Sequence, residues 1–389
     1  MLTFRIILAL AALGAVAARP RSWGFAFGAG ACAALAVVAG AGDAEGALAT
    51  TGPPIAFLAS VMGLALLADH SGLAARLAAL LAVAGRGRVA LLFGWTCAAC
   101  ALLTAALSLD GAVVVMLPVI AALVRSHGAP LRPLLLGTVG VANCFSAALP
   151  AGNPTNLVVM ARLGLSPGGF AAHMLLPSLG ATLACVSMVW LLERRRLAAT
   201  YRPGERESRH GGRPALIALG TAALADWTSP LVGLSPWIPV SAVAVIALAA
   251  AGRRPLIALP LRTALQIGSL LVVLGSLKAA IHIGTLGLSS PTLGGLALVA
   301  VAVTAGAALA NNLPASAAVA TLLAPGPGSY AALLGLSAGA LATPHGSVAT
   351  LVSLDMAPGP PGRGLALSWA AAALVAVCAG VVVLRLTAS

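Results

Sequence analysis

Polar residues interrupt the apolar sequence at two places, one in each half of the chain. The first interruption is Leu109-Asp110-Gly111-Ala112, followed by Pro118, and the second is Ala310-Asn311-Asn312-Leu313-Pro314. Each ends an apolar run of about twenty residues, the length that crosses a bilayer. Because hydrocarbon offers no hydrogen-bond partners, such a break survives only inside protein or beside an aqueous cavity. Paired breaks in two halves predict the binding site of a secondary transporter.

A second pair of polar segments follows the two breaks. Gly152-Asn153-Pro154-Thr155-Asn156 offers two amides and a hydroxyl, and Pro344-His345-Gly346-Ser347 lies at the matching place in the second half. Pro154 disfavours helix at the preceding residue, so we expect an unwound tip and then a half-helix whose N-terminus carries partial positive charge. The alternative is a plain loop tip at the membrane surface. We predict a substrate or ion site formed by Asp110, Gly111, Gly152, Asn153, Pro154, Thr155, Asn156, Asn311, Asn312, Pro314, His345, Gly346 and Ser347.

Ionisable residues are few, and each suggests a role. An ionisable side chain at bilayer depth is by default a candidate proton, ion or substrate site. We expect Asp110 to exchange protons, although aspartate is also a strong helix N-cap. Asp69 and Lys278, the only lysine, are candidates for an intramembrane charge pair, and the alternative is that both reach water at helix ends. His345 is a candidate proton-sensitive group, whereas Asp226, next to a tryptophan, is expected at the membrane surface.

The composition identifies a membrane protein. Of the 389 residues, 60% are hydrophobic and 8% are charged, and the mean hydropathy is +1.04, whereas soluble domains carry about 25% charged residues. Seven of the 22 basic residues lie in Glu193–Arg213. Basic residues in short connectors indicate the cytoplasmic side, so the net charge of +13 reflects topology and not nucleic-acid binding. We expect a multi-pass protein of a bacterial inner membrane with this segment in the cytoplasm.

The basic segment divides the chain into halves with a similar order of elements. We predict a first membrane repeat at 1–192, a cytoplasmic linker at 193–213 and a second membrane repeat at 214–389. The predicted fold is an all-α polytopic membrane protein with about 10–12 membrane segments, arranged as two inverted repeats with broken helices and re-entrant hairpins.

Several apolar runs are too short to cross a bilayer straight, among them Leu73–Ala84, Ala112–Val124 and Leu313–Ala324. We assign the broken helices to Asp110–Val124 and Asn311–Ala324. We expect the later elements, around 149–156 and 342–347, to be re-entrant.

The sequence argues against an enzyme and against a resident metal. All six cysteines fall in apolar runs, where a free thiol is usually a small buried hydrophobe. The alternative is that Cys97 and Cys100, which would share a helix face, bind a soft metal or arsenic through their thiols. A His-Glu-x-x-His element is absent, and acids are too scarce for a typical metal site. We therefore expect no cofactor, and a proton or sodium as the coupling ion.

Five stretches resemble the arsenite permease (arsenical pump membrane protein) branch of the ion transporter superfamily. Leu109 and Gly152 stand where that family usually has Asn and Ser. The five stretches run in order along most of the chain: Asp69-His70-Ser71-Gly72-Leu73, Leu109-Asp110-Gly111-Ala112 with Pro118, Gly152-Asn153-Pro154-Thr155-Asn156, Asn311-Asn312-Leu313-Pro314 and Gly346-Ser347-Val348-Ala349-Thr350-Leu351.

The resemblance implies a transporter with two inverted repeats that often dimerises. Members of the branch export arsenite and antimonite in exchange for protons, in some cases with a cytosolic ATPase subunit. It implies that Asp110 handles the proton while the amides and hydroxyls bind the hydroxyl groups of the substrate. The expected partners are a small inorganic or anionic solute, the lipid bilayer, a second copy of the chain and an ATPase subunit, and no nucleic acid.

An alternative function within the same superfamily is a sodium-coupled carboxylate or other anion transporter, or a sodium/proton antiporter. Carbonyl and amide groups at unwound tips suit sodium, and the N-termini of half-helices suit anions. A sodium requirement for transport would favour this alternative.

Overall fold

The structure is a computed structural model that describes residues 2–18, 22–40, 44–203, 212–235, 237–252, 262, 265–266, 268–270, 272–273, 276, 292–313, 315–316, 319, 325–359 and 362–387. Helices form from Ala-, Leu- and Val-rich runs, because a helix satisfies its backbone groups internally where no water is present. The helices of the first half are α1 (Leu2–Ala18), α2 (Trp23–Val38), α3 (Ala44–His70), α4 (Leu73–Ala84), α5 (Val89–His127), α6 (Leu131–Phe145), α7 (Pro154–Leu163) and α8 (Pro167–Leu197).

The described helices of the second half are α9 (Arg213–Thr228), α10 (Trp237–Ala250), α11 (Leu293–Ala310), α12 (Pro327–Ser337), α13 (Val348–Met356) and α14 (Leu365–Thr387). Each half closes with a similar series of elements. Short 3₁₀ turns lie before α7 in the first half, at 146–148 and 150–152, and before α13 in the second half, at 339–342.

The described part of the chain has the character of a polytopic membrane protein. Five of its helical segments are long and apolar enough to cross a membrane, or six if a bent pair is counted as one span. The pair consists of Ala59–His70 and Leu73–Ala84, which meet at 72° on either side of Gly72. The predicted all-α polytopic class is confirmed, and the full number of segments stays a prediction, since parts of the chain lie outside the described ranges.

The two ends of α5 lie close together. The Val89 amide donates to the Ala199 carbonyl at 3.2 Å, and the Arg202 amide donates to the His127 carbonyl at 3.3 Å. Ala199 and Arg202 are three residues apart, so their Cα atoms lie within about 11 Å of each other. A straight helix of this length, 39 residues, would separate its ends by about 57 Å. The chain must therefore reverse direction within α5.

The reversal occurs at Leu107 (φ −132°, ψ 16°) and Ser108 (φ 65°, ψ 176°), which leave the helical region. The α5 element is thus a helical hairpin with a first arm before Leu107 and a second arm after Ser108. The sequence predicts the interruption at Leu109–Ala112, whereas the backbone leaves the helix just before it, at Leu107 and Ser108. Asp110 and Gly111 open the second arm, since an acidic residue is favourable in the first turn of a helix.

The element after the hairpin crosses the molecule. α6 begins beside Arg132, whose Nε donates to Glu193 Oε1 at 2.6 Å near the C-terminus of α8. α8 has 31 residues and begins four residues after α7 ends, so it covers about 45 Å. α7 therefore ends far from the place where α6 begins. In the first half, α5 therefore doubles back, and α6 and α7 together cross the molecule. The sequence analysis expects the opposite, a broken helix at 110–124 and a re-entrant element around 149–156.

Arginines gather where α5 begins and ends and where α8 ends. We call this region the basic end, defined by Arg88, Arg125, Arg132, Arg196 and Arg202. Tyr201 is buried in this region, and its hydroxyl donates to the Ala82 carbonyl at 2.5 Å. Burial raises the pKa of Tyr201, so this hydroxyl remains a hydrogen-bond donor at neutral pH.

Helices α8 and α14 pack against each other in opposite directions. Arg132, bound to Glu193 of α8, also donates to the Arg363 carbonyl at 2.7 Å, just before α14. At the other end of the pair, a Cβ on Gly180 would lie 2.7 Å from Val383. The C-terminal part of α8 therefore meets the start of α14, and the N-terminal part of α8 meets its end. The α12–α13 element accordingly finishes at the basic end, where α6 begins.

Candidate functional site

The two unwound tips have matching backbone conformations. The tip between α6 and α7 begins at Leu149 (φ −129°, ψ 146°) and ends at the α7 N-cap, Asn153 (φ −151°, ψ 132°). The tip between α12 and α13 begins at Thr343 (φ −132°, ψ 155°) and ends at the α13 N-cap, Ser347 (φ −137°, ψ 158°). Each tip therefore contains a proline and a glycine at the same places relative to its cap.

Each tip glycine is required by a carbonyl that stands six residues earlier. A Cβ on Gly152 would clash with the Ser146 carbonyl oxygen, and a Cβ on Gly346 would clash with the Ala340 carbonyl oxygen. The Gly152 amide donates to the Leu149 carbonyl at 3.0 Å. In the second tip, Gly346 makes the same bond to residue 343 at 3.2 Å. The predicted unwound tips are thus close turns that only glycine can form.

The helix breaks also correspond to each other. Asn311 (φ 74°, ψ 149°) follows α11 in the same left-handed φ region as Ser108. Asn311 therefore corresponds to Ser108 and not to Asp110. Sequence reasoning missed Ser108, and the signal that could have found it is its position directly after an uninterrupted apolar run.

The site amides hold the backbone of the first tip in place. Asn156 Nδ2 donates to the Ser146 carbonyl at 2.8 Å and to the Leu149 carbonyl at 2.9 Å. The side chain of Asn153 caps α7 by accepting a bond from the Thr155 amide at 3.1 Å. These donors are occupied within the protein, so the atoms left for a solute are mainly oxygens.

Asparagines of the second break hold the second tip. Asn311 Nδ2 donates to the carbonyl oxygen of buried His345 at 2.8 Å. The main-chain amide of Asn312 donates to the Gly346 carbonyl at 2.7 Å. Ser347 and Thr350 form a capping box at the start of α13. The second break and the second tip are therefore one bonded unit.

Contacts near the unwound tips bring the two halves of the chain together. Asn153 Nδ2 lies 3.5 Å from Ser337 Oγ of α12, a long hydrogen bond between the halves. The α5 hairpin packs against the 3₁₀ turn 150–152 and against α13. Gly111 lies against α3, since a Cβ there would be 3.5 Å from Val61. The predicted residues of both halves therefore line one region.

Several buried oxygens in this region have no hydrogen-bond partner among the described residues. These oxygens are Ser108 Oγ, Asp110 Oδ1, Asn143 Oδ1, Thr155 Oγ1 and Asn156 Oδ1. Asp110 is 8% exposed. Buried polar atoms are almost always paired, so unpaired ones need an explanation such as a bound solute, ion or water.

Some predicted residues lie elsewhere or outside the described part. Asp69 is exposed and lines an open polar cavity of about 580 Å³ together with His70 and Arg125. Lys278 and Pro314 lie outside the described residues, so the Asp69–Lys278 pair stays a prediction. Within the described part, no group of three potential metal-ligating side chains is present.

Asp226 was missed as a candidate. It is expected at the membrane surface, but it is 3% exposed, and its Oδ2 has no hydrogen-bond partner within the described part of the chain. The neighbouring Trp227 Nε1 donates to the Ala105 carbonyl in the first arm of α5. The tryptophan next to it suggested an interfacial position, and only tertiary packing reveals that the acid points inward.

Two Gly-x-Ser-x-Gly sequences are present, and neither holds a hydrolase nucleophile. One spans Gly164 to Gly168 around Ser166, the exposed N-cap of α8. The other spans Gly335 to Gly339 around Ser337. The nucleophile in hydrolases stands on a strand-to-helix turn, whereas Ser337 is the last residue of α12 and is fully buried. Its hydroxyl accepts from Asn153 at the contact between the halves.

The family model for the CitMHS citrate transporters matches residues 5–379, nearly the whole chain. The chain belongs to this family. The CitMHS family lies in the ion transporter superfamily, so the superfamily predicted from the motifs is confirmed. The CitMHS assignment also shows that the chain is a transporter and not an enzyme.

The chain is also similar to a protein named for a different substrate. An arsenical pump membrane protein of Yersinia enterocolitica is 30% identical over 189 residues, which are 47% of this chain and 44% of that relative. The chain thus matches less than half the length of that relative. Membership of the CitMHS family and this partial similarity agree on a multi-pass secondary transporter.

Proposed function

We propose that this CitMHS family member exports arsenite or antimonite across the bacterial inner membrane in exchange for protons. The observation that carries the proposal is the buried Asp110 carboxyl among neutral oxygens that have no partner in the described protein. A carboxylate in such a place is costly without a cation or a proton. Proton exchange at Asp110 would couple to the binding of a polyhydroxy solute.

The charge of the site favours a neutral solute. The residues that line it supply amides, hydroxyls, carbonyls, the His345 imidazole and the Asp110 carboxyl, and none of those described is arginine or lysine. Arsenite and antimonite are uncharged trihydroxy species at neutral pH, and each hydroxyl can donate to an unpaired oxygen. A bare tricarboxylate would instead face the charge of Asp110 without a compensating cation, which is unfavourable in a low-dielectric site.

The architecture supports alternating access by two inverted repeats. α8 and α14 follow corresponding broken elements and pack antiparallel, as inversion of the second half requires. In the proposed cycle, the α5 hairpin is re-entrant from the basic end and brings Asp110 to the solute. A homodimer and a cytosolic ATPase subunit stay predictions.

A sodium-coupled carboxylate transporter is the second candidate, because the family model describes citrate transporters. The N-termini of α7 and α13 both open at the site, and free amide groups with partial positive charge favour anions. Sodium bound at Asp110 would offset the charge of a carboxylate substrate.

The deciding experiment measures arsenite and antimonite accumulation in bacterial cells that lack their own exporter. Cells with the wild-type chain should accumulate less metalloid, and Asp110→Asn should abolish this difference. Glu45→Gln, which changes an exposed acid on α3, is the matched control and should behave as the wild type. Unchanged accumulation in cells that express the protein would refute metalloid export, and sodium-dependent citrate uptake by the same cells would establish the second candidate.

A further inference from the structure

We propose that Asp226 is a second cation-binding carboxyl of this transporter, on the end of α9 that lies against the tip of the α5 hairpin. The inference deepens the proposed function and rests on its cation-coupled cycle. The bound species is a small monovalent cation, a proton or sodium. Asp226 belongs to the second half of the chain, whereas Asp110 belongs to the first, so each half would supply one coupling carboxyl.

The burial of Asp226 requires a neutralising species. Its side chain is 3% exposed, and Oδ2 has no hydrogen-bond partner in the described part of the chain. Removing a carboxylate from water without a partner is strongly unfavourable, because the charge loses its hydration. A bound proton or sodium ion removes this cost.

The hydrogen bond made by the next residue places the end of α9, which carries Asp226, beside the α5 hairpin. Trp227 Nε1 donates to the Ala105 carbonyl at 2.8 Å. Ala105 is in the last turn of the first arm of α5, where helical carbonyls lack regular partners. The end of α9 therefore lies against the hairpin tip that also carries Ser108 and Asp110.

The helix termini act on the two carboxyls in opposite directions. Asp226 is in the last turn of α9, where the backbone carries partial negative charge and disfavours a carboxylate. Asp110 is in the first turn of the second arm of α5, where partial positive charge favours one. Asp226 therefore holds its cation more tightly than Asp110 does. Asp110 is the group that releases a cation during the transport cycle.

No arginine or lysine is buried beside Asp226 on the described parts of the elements that pack against α9. On α3, Glu45, Asp69 and His70 are exposed, as are Arg76 of α4 and Arg125 of α5. Arg213 starts α9, about 20 Å along the helix from Asp226. The buried titratable groups on these elements are Cys97, Cys100, Asp110 and His127 of α5, and His127 bonds to residue 202 at the basic end.

Transport in liposomes tests the role of Asp226 in coupling. Asp226→Asn keeps the shape of the side chain but cannot carry a proton or bind sodium as a carboxylate does. With arsenite as the transported solute, we expect it to retain downhill exchange and to lose roughly tenfold or more of the gradient-driven accumulation. Asp226→Glu should restore accumulation in part, and Glu45→Gln should match the wild type. Full gradient-driven accumulation by Asp226→Asn would overturn the proposal.

A second measurement needs no transported solute, so it separates this inference from the identity of the substrate. In the solute-free protein, the fluorescence of Trp227 is isolated as the difference between the wild type and Trp227→Phe. Acidification or addition of sodium should change this difference, and Asp226→Asn should abolish the change. If Asp226→Asn fails to fold, Asp226→Glu should shift the midpoint of the titration. A Trp227 signal that is insensitive to both cations, or an unshifted midpoint in Asp226→Glu, would overturn the proposal even if metalloid export is established.

Discussion

Single glycines set the shape of both unwound tips. Gly152 and Gly346 each stand where a Cβ would clash with a carbonyl oxygen six residues earlier. Because the obstacle in each case is backbone, a side chain cannot move aside to make room. The tips present the N-termini of α7 and α13, so a shift of either tip displaces the groups expected to bind the solute.

We predict that Gly152→Ala and Gly346→Ala each destabilise the protein by about 1–3 kcal/mol, as overpacking does, and reduce transport. Thermal unfolding in detergent and accumulation in cells measure the two effects. Gly168→Ala is the control, since no heavy atom lies within 4 Å of the added Cβ. If the alanine variants were as stable as this control, the tips would not be as tightly closed as described.

Asn311 should stabilise the second tip through its side chain. Glycine adopts the φ of +74° at this position without strain, so Asn311→Gly removes only the side-chain bonds to His345 and Leu313. We predict a loss of about 1–3 kcal/mol, the usual result of leaving a buried carbonyl unpaired. Asn312→Ala keeps the main-chain donor to the tip and should lose less stability. Equal unfolding midpoints for the two variants would contradict this.

Sequence reasoning singled out the polar residues at the breaks and tips, but not how their atoms are used. The spacing of Asp110, Asn153 and Asn311 placed them at breaks and tips because proline, glycine and polar side chains are unusual in apolar runs. The spacing could not reveal that the Asn156 amide nitrogen donates to carbonyls of the tip backbone. It also could not reveal that Asp226 points inward, since burial depends on partners distant in the chain.

Among the helical elements, α5 departs most from its sequence pattern. An apolar run of this length looks like one crossing followed by a half-helix, and hydropathy contains no information about direction. The hydrogen bonds of both its ends to residues 199–202 require a hairpin. The chain direction of such elements is set by contacts in the folded molecule, which explains why the sequence assigned the reversal to the wrong element.

The hairpin predicts a short distance between exposed positions near its two ends. Spin labels on Arg88→Cys and Ser126→Cys, in a background with Cys32 and Cys378 changed to serine, should lie within about 30 Å of each other. A straight helix would place them about 57 Å apart. Double electron–electron resonance on the purified protein distinguishes the two values. A single population near the longer distance would refute the hairpin.

At the scale of the whole molecule, the two halves meet along α8 and α14. These helices follow corresponding elements and pack in opposite directions, as the proposed inverted repeats require. The basic end closes this contact, since Arg132 bonds to Glu193 of α8, to the Arg363 carbonyl and to Ser368 Oγ of α14. The predicted linker thus begins within α8, because that helix continues to Leu197.

Arg132 should contribute far more stability than Arg196, although both lie 2.6 Å from the buried Glu193. The Arg132 side chain is 13% exposed, whereas the Arg196 side chain is 55% exposed. We predict that Arg132→Met costs about 3 kcal/mol, because it leaves a buried carboxylate poorly paired and frees the start of α14. Arg196→Met removes a solvent-screened partner and should cost less than about 1 kcal/mol. Unfolding midpoints in detergent compare the two, and equal losses would mean that the contact between α6, α8 and α14 does not depend on Arg132.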